Sequence, residues 1–145
     1  MTAALSGADK IHILLVEDSR SEGFITQRHL QRLDEELEVM RAMSLAEALD
    51  ILEHSPIDAI LLDLGLPDSD GPNSIRTLNE EFPHIPIVVL SGREDEVAVL
   101  RSLEYGAYAF LLKGKCTEQS IRHAIFNAIF RNSLKGKDRN DYPPP

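Results

Sequence analysis

The sequence predicts an α/β domain in which one five-stranded parallel sheet is covered by helices on both faces. Short apolar runs typical of buried strands alternate five times with segments whose apolar residues recur at helical spacing. Several of these runs also end abruptly on polar residues and turn chemistry, as strands do where a parallel sheet opens onto its loops. Right-handed crossovers then favour the flavodoxin-like, doubly wound strand order 2-1-3-4-5, with five helices.

The five predicted strands are short and rich in branched apolar residues. The third is apolar at every position, which is typical of a strand buried on both faces, and it ends directly on Asp63. The first ends on the acidic pair Glu17 and Asp18, and the fifth ends on Lys113. In chain order, the predicted strands comprise residues 11–16, 37–43, 59–62, 87–90 and 108–112.

Each strand is followed by a predicted helix. Polar caps mark where three helices begin: Ser19 for the first, the capping box that opens at Ser44 for the second, and Thr117 for the last. The third helix is predicted over residues 74–82 and the fourth over residues 94–104. The residues expected to face the core from the fourth and fifth helices are Val97, Leu100, Leu103, Ile121, Ala124, Ile125, Ala128 and Ile129.

Length and composition indicate a single domain with an ordinary core. The chain has 145 residues and a net charge of −9, which argues against non-specific binding of nucleic acid. Its single cysteine excludes an internal disulfide and suits a reducing cytoplasm. No apolar run approaches the ~20 residues that a membrane span needs. We expect a flexible N-terminus over residues 1–9, a folded domain over 10–131 and a disordered tail over 132–145.

The predicted sheet brings polar strand ends together at one edge. Its members are Glu17, Asp18, Asp63, Ser91 and Lys113. Two like charges ~4 Å apart repel by about 4 kcal/mol at an effective dielectric constant of roughly 20, and a lone lysine cannot offset the carboxylates. Either the carboxyl pKa values are raised or a divalent cation occupies the pocket. Oxygen ligands favour Mg²⁺, and no histidine or cysteine converges here, which argues against zinc.

This set of groups is suited to phosphoryl transfer. Asp63 would be the nucleophile and would become an acyl phosphate. The cation and Lys113 would neutralise charge on the transferred oxygens. Ser91 would hydrogen-bond a phosphoryl oxygen, and the backbone amides of Leu64 and Gly92 are further donors.

Four motifs carry a resemblance to a known family. They are LLVEDS at the first strand, LLDLGLPDSDG at the third, IVVLSG at the fourth and GAYAFLLKG at the fifth. In this order, and at predicted strand ends, they resemble the CheY-like receiver domains of two-component response regulators. The resemblance covers residues 10–131, which is nearly all of the chain expected to be ordered.

The resemblance implies a role for each matched residue. Asp63 corresponds to the phosphoacceptor and Lys113 to the lysine of the site. Metal binding falls to Asp18 directly, to Glu17 through water and to the carbonyl of Gly65, with Mg²⁺ as the cofactor. Ser91 and Phe110 correspond to the switch hydroxyl and the switch aromatic residue, which turns inward when the hydroxyl moves toward the phosphate.

The residue after Lys113 departs from the family pattern. Receivers usually have a proline there, after a cis peptide bond, whereas this chain has Gly114. A cis bond without proline costs ~3–4 kcal/mol, so we leave open whether this bond is cis or trans. The shape of the loop before the last helix is therefore not predicted.

The resemblance also implies partners. A histidine kinase or a histidine phosphotransfer protein would supply the phosphoryl group, with no contact to nucleic acid or membrane. The output would be either a protein contact on the face formed by the fourth helix, fifth strand and fifth helix, or a phosphate relay. A homodimer is left open. Aromatic residues weighed as interface or core are Tyr105, Tyr108, Phe126 and Phe130. We expect a single-domain regulator, or a receiver excised from a longer hybrid protein.

Two other functions are weighed against this one. A phosphohydrolase of the haloacid dehalogenase type would use Asp63 as its nucleophile, but such enzymes usually need a second acid where this chain has Gly65. A receiver-like module that binds partners without phosphorylation is the other alternative, and Gly114 leaves room for it. We therefore expect a phosphoacceptor and not an enzyme with turnover.

Overall fold

The computed structural model describes residues 10–92 and 95–141, and the side chains of these residues up to 135. Within this part of the chain the strands form one parallel sheet in the predicted order 2-1-3-4-5, so the predicted fold is confirmed. The strands are β1 (Ile11–Val16), β2 (Leu37–Ala42), β3 (Ala59–Leu62), β4 (Ile87–Ser91) and β5 (Ala109–Leu112). The helices that follow them are α1 (Arg20–Leu33), α2 (Leu45–His54), α3 (Asn73–Glu81), α4 (Glu96–Glu104) and α5 (Glu118–Asp141).

Strand register brings the carboxyl ends of the central strands level with one another. Val16 of β1 is paired with Leu62 of β3, and Leu62 is paired in turn with Val89 of β4. The residues that follow Val16 and Leu62 are Glu17 and Asp63. The register therefore puts these two carboxylates side by side at the edge where parallel strands open onto their loops.

Apolar residues of the sheet pack into two clusters, one on each face. Successive residues of a strand point to opposite faces. Val16 and Leu62 accordingly pack with residues of α2 and α3, whereas Leu15 and Leu61 pack with residues of α1 and α5. All of α4 is described, and no residue of it belongs to either cluster.

The predicted caps start their helices as expected. Ser19 accepts a hydrogen bond from the amide of Glu22, and Ser44 accepts one from the amide of Glu47. The Thr117 hydroxyl accepts from the amide of Ser120 at the start of α5, at 3.1 Å. Each cap gives an otherwise unpaired amide of the first turn an acceptor.

The orientation predicted for α4 is wrong. Val97, Leu100 and Leu103 were expected to face the core, but they are 59%, 66% and 46% exposed. The residue of this helix that is buried is Ser102, whose hydroxyl donates to the carbonyl of Ala98 at 2.6 Å. Helical spacing identifies an apolar face, but it does not say whether the fold covers that face.

Helix α5 extends past residue 132, where a disordered tail was expected to begin. Helix α5 continues to Asp141, so residues 132–141 are helical and not disordered. No proline occurs between residues 118 and 141, and charged residues such as Lys135 are compatible with a helix. Residues 1–9 and 142–145, for which flexibility was expected, lie outside the described residues. None of the helices described has the length and apolar content needed to cross a membrane.

A contact between β2 and α1 fixes the start of that helix. The guanidinium of Arg41 donates to the carbonyls of Ser19 and Arg20, at 3.2 and 3.4 Å. Gly23 makes room for it, because a Cβ atom at this position would collide with the guanidinium. This contact holds the turn of α1 that carries Glu22.

Candidate functional site

Asp63 lies directly after β3, near the middle of the carboxyl edge of the sheet. Its amide donates to the carbonyl of Val16 at 2.9 Å, which continues the pairing of β3 with β1 by one residue. Its side chain is 14% exposed. The buried strand thus presents one carboxylate that the surrounding loops leave partly open to solvent.

Two further carboxylates meet Asp63, as the sequence predicted. One oxygen from each of Glu17, Asp18 and Asp63 lies within 4.8 Å of the others. Glu17 is buried, whereas Asp18 is exposed. These three side chains form an acidic pocket whose donor atoms are all oxygens.

Lys113 follows β5 and reaches this pocket with its ammonium group. Its Nζ donates to Glu17 at 2.6 Å and to Asp63 at 3.1 Å. It also donates to Glu22 of α1 at 3.0 Å. The sequence predicted the first two partners but not Glu22, which lies beyond the motif that ends at Ser19.

The pKa values in the pocket reflect burial and crowded charge. Burial raises the pKa of Glu17 to about 7, and nearby Asp63 adds to the effect although Lys113 opposes it. Burial alone would raise the pKa of Asp63, but hydrogen bonds from Glu17 and the Gly65 amide, with the charge of Lys113, bring it below its usual value. For Lys113, burial is outweighed by its carboxylate partners, chiefly Glu17, and the pKa is raised.

The charges and donors of the pocket fit a hard divalent cation. Three carboxylates face a single ammonium group, and burial, with a smaller contribution from nearby Asp63, raises the pKa of Glu17. Oxygen donors of this kind suit Mg²⁺, which keeps several waters when it binds to one or two carboxylates. The residues present are therefore compatible with such an ion.

Gly65 lies in the turn that follows Asp63. Its amide donates to Oδ1 of Asp63 at 3.1 Å, while Lys113 donates to Oδ2 of the same carboxylate. The two oxygens of Asp63 are thus held by different partners, which fixes the plane of the carboxylate.

A cleft of about 440 Å³ opens on the β4 side of Asp63. Leu64, Ser91 and Gly92 line it together with Asp63, so the predicted donors lie around the predicted acceptor. Ser91 ends β4 and is buried, at 6% exposure. Phe110 of β5 is half-buried and packs against the cluster that contains α2 and α3.

The loop after Lys113 has a trans backbone, which answers the question that the sequence left open. The Lys113–Gly114 peptide is trans, and Gly114 has a φ of 82°. The amide of Lys115 donates to the carbonyl of Leu112 at 3.1 Å. This is the pattern of a type II turn, which requires positive φ at its third residue and therefore favours glycine there.

Asp68, which the sequence analysis did not single out, connects the loop after β3 to α2. Its two carboxylate oxygens accept from the amides of Leu45 and Ala46, at 2.8 and 2.9 Å. These bonds, the one to Leu45 first, lower the pKa of Asp68. The segment that carries Asp63 is thereby fastened to the start of another helix.

The aromatic residues weighed as interface candidates differ in their surroundings. Tyr108 donates from its hydroxyl to Asn132 at 3.0 Å, and the guanidinium of Arg122 covers half-buried Phe126. Phe130, in contrast, is 61% exposed. Tyr105 is half-buried and packs against the cluster that contains α2 and α3.

Comparison with known proteins relates this site to a family. Residues 13–126 match the family model described as response regulator receiver domain. The glycerol metabolism activator of Pseudomonas putida is 37% identical over 109 residues, which are 74% of this chain and 45% of the activator. The regulatory protein LuxO of Vibrio cholerae is 28% identical over 131 residues. The matched part of this chain covers 28% of the length of LuxO. The chain therefore spans less than half the length of either relative.

Solved structures agree with this match. A CheY-like receiver domain protein from Methanospirillum hungatei superposes with a TM-score of 0.78, at 22% identity over 88% of this chain and 99% of that one. A receiver domain protein from Clostridium thermocellum has a TM-score of 0.72, at 28% identity over 86% and 98% of the two chains. The family match over most of the chain, together with this fold, establishes that the chain belongs to the response regulator receiver domains.

Proposed function

We propose that Asp63 accepts a phosphoryl group from a histidine kinase or a histidine phosphotransfer protein, in a Mg²⁺-dependent step. The observation that supports this proposal is the position of Asp63 between Lys113, at 3.1 Å, and the carboxylates of Glu17 and Asp18. An acid nucleophile beside a cation-binding pocket and a fixed ammonium group is suited to phosphoryl transfer.

In the proposed step a carboxylate oxygen of Asp63 attacks phosphorus. The bond between phosphorus and the imidazole nitrogen of the donor histidine breaks, and the imidazole leaves with the electron pair and takes up a proton from water. Lys113 stabilises negative charge on the transferred oxygens, and Leu64 and Gly92 offer backbone amides around the same cleft. Glu17, Asp18, Asp63 and the carbonyl of Gly65 are the groups that would hold Mg²⁺, which supplies further charge neutralisation.

Phosphorylation would then shift the protein between two conformations. Ser91 and Phe110 are the residues proposed to respond, the first in the cleft beside Asp63 and the second on the neighbouring strand. The output is a protein contact on the face of α4, β5 and α5. Leu100 and Phe130, which are 66% and 61% exposed, offer apolar area for it.

Intact-mass spectrometry after incubation with acetyl phosphate and Mg²⁺ tests the proposal. Wild-type protein should gain one phosphate, and Asp63→Asn should gain none. A chelator should prevent the gain in the wild type. The protein should form this adduct without steady release of phosphate from organic esters, because it is a phosphoacceptor and not an enzyme with turnover.

A folded wild-type protein that binds Mg²⁺ but forms no adduct would contradict the proposal. The function would then be that of a receiver-like module that binds its partners without phosphorylation. Asp63→Asn provides the matched control because it keeps the size of the side chain and removes the nucleophile.

A further inference from the structure

Glu22 gives Lys113 a partner outside the acidic pocket. The ammonium group has three N–H donors, and three carboxylates accept from it: Glu17 at 2.6 Å, Glu22 at 3.0 Å and Asp63 at 3.1 Å. Glu17 and Asp63 belong to the pocket, whereas Glu22 belongs to α1 and its side chain is 58% exposed. The charge of Lys113 is thus shared between the pocket and a surface residue.

The backbone of Glu22 is held firmly enough to make this partner specific. Its amide donates to the Ser19 hydroxyl at 3.2 Å, and the carbonyl of Ser19 accepts from Arg41. Glu22 and Lys113 also line one cleft, of about 270 Å³, between α1 and α5. The fold therefore keeps this carboxylate within reach of the lysine.

The position of the lysine's charge affects cations and anions in opposite ways. An ammonium group close to Glu17 and Asp63 opposes the binding of a divalent cation by these carboxylates, but it stabilises a phosphoryl group on Asp63. A third carboxylate that takes one of the three N–H donors weakens both effects. Glu22 should therefore favour the cation and disfavour the phosphoryl group.

We propose that Glu22 is a positioning residue that draws Lys113 partly away from Asp63, so that the pocket binds Mg²⁺ more tightly and accepts a phosphoryl group more slowly. This inference rests on the proposed function for its second half. Its first half concerns the unphosphorylated protein and can be tested without any phosphoryl transfer.

Calorimetric titration of the unphosphorylated protein with Mg²⁺ tests the first half. Glu22→Gln should raise the Kd for Mg²⁺ by about threefold to tenfold at physiological ionic strength. Glu118→Gln is the matched control, because Glu118 lines the same cleft but pairs with His29 instead of Lys113. It should change the Kd by less than about twofold.

The same titration in a Lys113→Met background distinguishes an effect of the hydrogen bond between Glu22 and Lys113 from an effect of the negative charge of Glu22 alone. If Glu22 acts through the lysine, Glu22→Gln should change the Kd in this background by less than about twofold. An equal change in both backgrounds would mean that Glu22 acts only as a nearby negative charge, and an unchanged Kd in the wild-type background would mean that it does not act on the pocket. Either result overturns the proposal.

The rate of phosphorylation by acetyl phosphate at saturating Mg²⁺ tests the second half. Glu22→Gln should react about threefold to tenfold faster than wild type, in the direction opposite to its weaker Mg²⁺ binding. A variant that had lost structure would bind Mg²⁺ more weakly and also react more slowly. Weaker Mg²⁺ binding together with faster phosphorylation is therefore specific to the proposed role. An unchanged or slower rate overturns the proposal. If the wild type forms no adduct at all, the proposed function fails, and the Mg²⁺ titrations still decide what Glu22 does to the pocket.

Discussion

Helices α3 and α4 have the same length but are held to the sheet in different ways. Each comprises nine residues. In α3, Ile75 and Leu78 are fully buried in the cluster that contains Val16. In α4, Leu100 and Leu103 are exposed and Ser102 is the buried residue. Apolar burial therefore anchors α3, whereas α4 contributes little to the core.

Polar contacts occur at both ends of α4, but within the described residues only those at its C-terminal end reach another helix. Asp95 caps its first turn by accepting from the amides of Val97 and Ala98. At the other end, Asn79 of α3 donates to the carbonyl of Tyr105 at 3.4 Å, and Arg76 of α3 lies over the Tyr105 ring. An element with few buried apolar contacts opens locally at lower free energy. We therefore expect α4 to open locally more easily than α3.

The largest effect should come from a truncation in α3. Leu78→Ala removes a fully buried side chain and should lower the free energy of unfolding by about 2–5 kcal/mol. Urea denaturation followed by circular dichroism measures this loss. A loss below about 1 kcal/mol would break the contrast between the two helices.

The protonation of the acidic pocket should change the free energy of unfolding of the whole domain, and not the local opening of α4 alone. Glu17 has a pKa raised to about 7, so the folded state holds its proton more tightly than the unfolded state does. The stabilisation is complete below the unfolded value of 4.5 and is lost as the pH rises through 7, by up to about 3 kcal/mol. The lowered pKa of Asp63 acts in the opposite sense, but only at more acidic pH.

Denaturation with a chelator at pH 5, 6, 7 and 8 measures this dependence, with Glu17→Gln as the reference that lacks it. Hydrogen exchange at pH 5 and 8 should show the same change in stability at the amides of α3, because we expect this buried helix to exchange only by global unfolding. Exchange through local opening of α4 should stay the same after correction for the intrinsic rate. A stability that rises with pH relative to Glu17→Gln would contradict the pKa direction.

The contact between the ends of α3 and α4 should contribute less. Gly106 has a φ of 116°, and a Cβ atom there would lie 2.9 Å from Nδ2 of Asn79. Gly106→Ala should therefore cost about 1–2 kcal/mol of stability. Protection of the α4 amides should fall further than that of α3, because Asn79 is displaced from Tyr105. Asn79→Ala in place of Gly106→Ala should reproduce the effect on α4 without backbone strain.

The smallest effect should come from a truncation in α4. Leu100→Ala removes a side chain that is 66% exposed and should change stability by less than about 0.5 kcal/mol. Native-state hydrogen exchange should nevertheless show α4 exchanging about tenfold or more faster than α3. A large loss of stability in Leu100→Ala would mean that α4 is packed as tightly as α3.

The sequence predicts the sheet well because the information is local. Each apolar run and each cap, such as Ser44, specifies its own element, and right-handed crossovers then leave few strand orders. The predictions that were wrong concern which faces of a helix are covered by the rest of the fold, and where a helix ends. The spacing of Val97, Leu100 and Leu103 is helical whether or not a neighbour packs on it. The end of α5 was placed too early because polar composition does not distinguish an exposed helix from a disordered tail.

The candidate site shows the same division. Strand ends bring Glu17, Asp18 and Asp63 together, and this follows from strand order alone. The partnership of Lys113 with Glu22 joins residues 91 positions apart and depends on how α1 and α5 pack beside each other. Asp68 presents a similar case, since its bonds to α2 depend on the path of a loop. No local pattern encodes such contacts.

The pairing of Gly23 with Arg41 has a consequence for how this sequence can diverge. A Cβ atom at position 23 would displace the guanidinium of Arg41 from its bonds to Ser19 and Arg20, so the two positions should tend to change together during evolution. Relatives that carry alanine or a larger residue at position 23 should have a shorter residue at 41. Alanine at position 23 of this chain should therefore cost the bonds of Arg41 to the start of α1, and a shorter residue at 41 in the same variant should add little further loss.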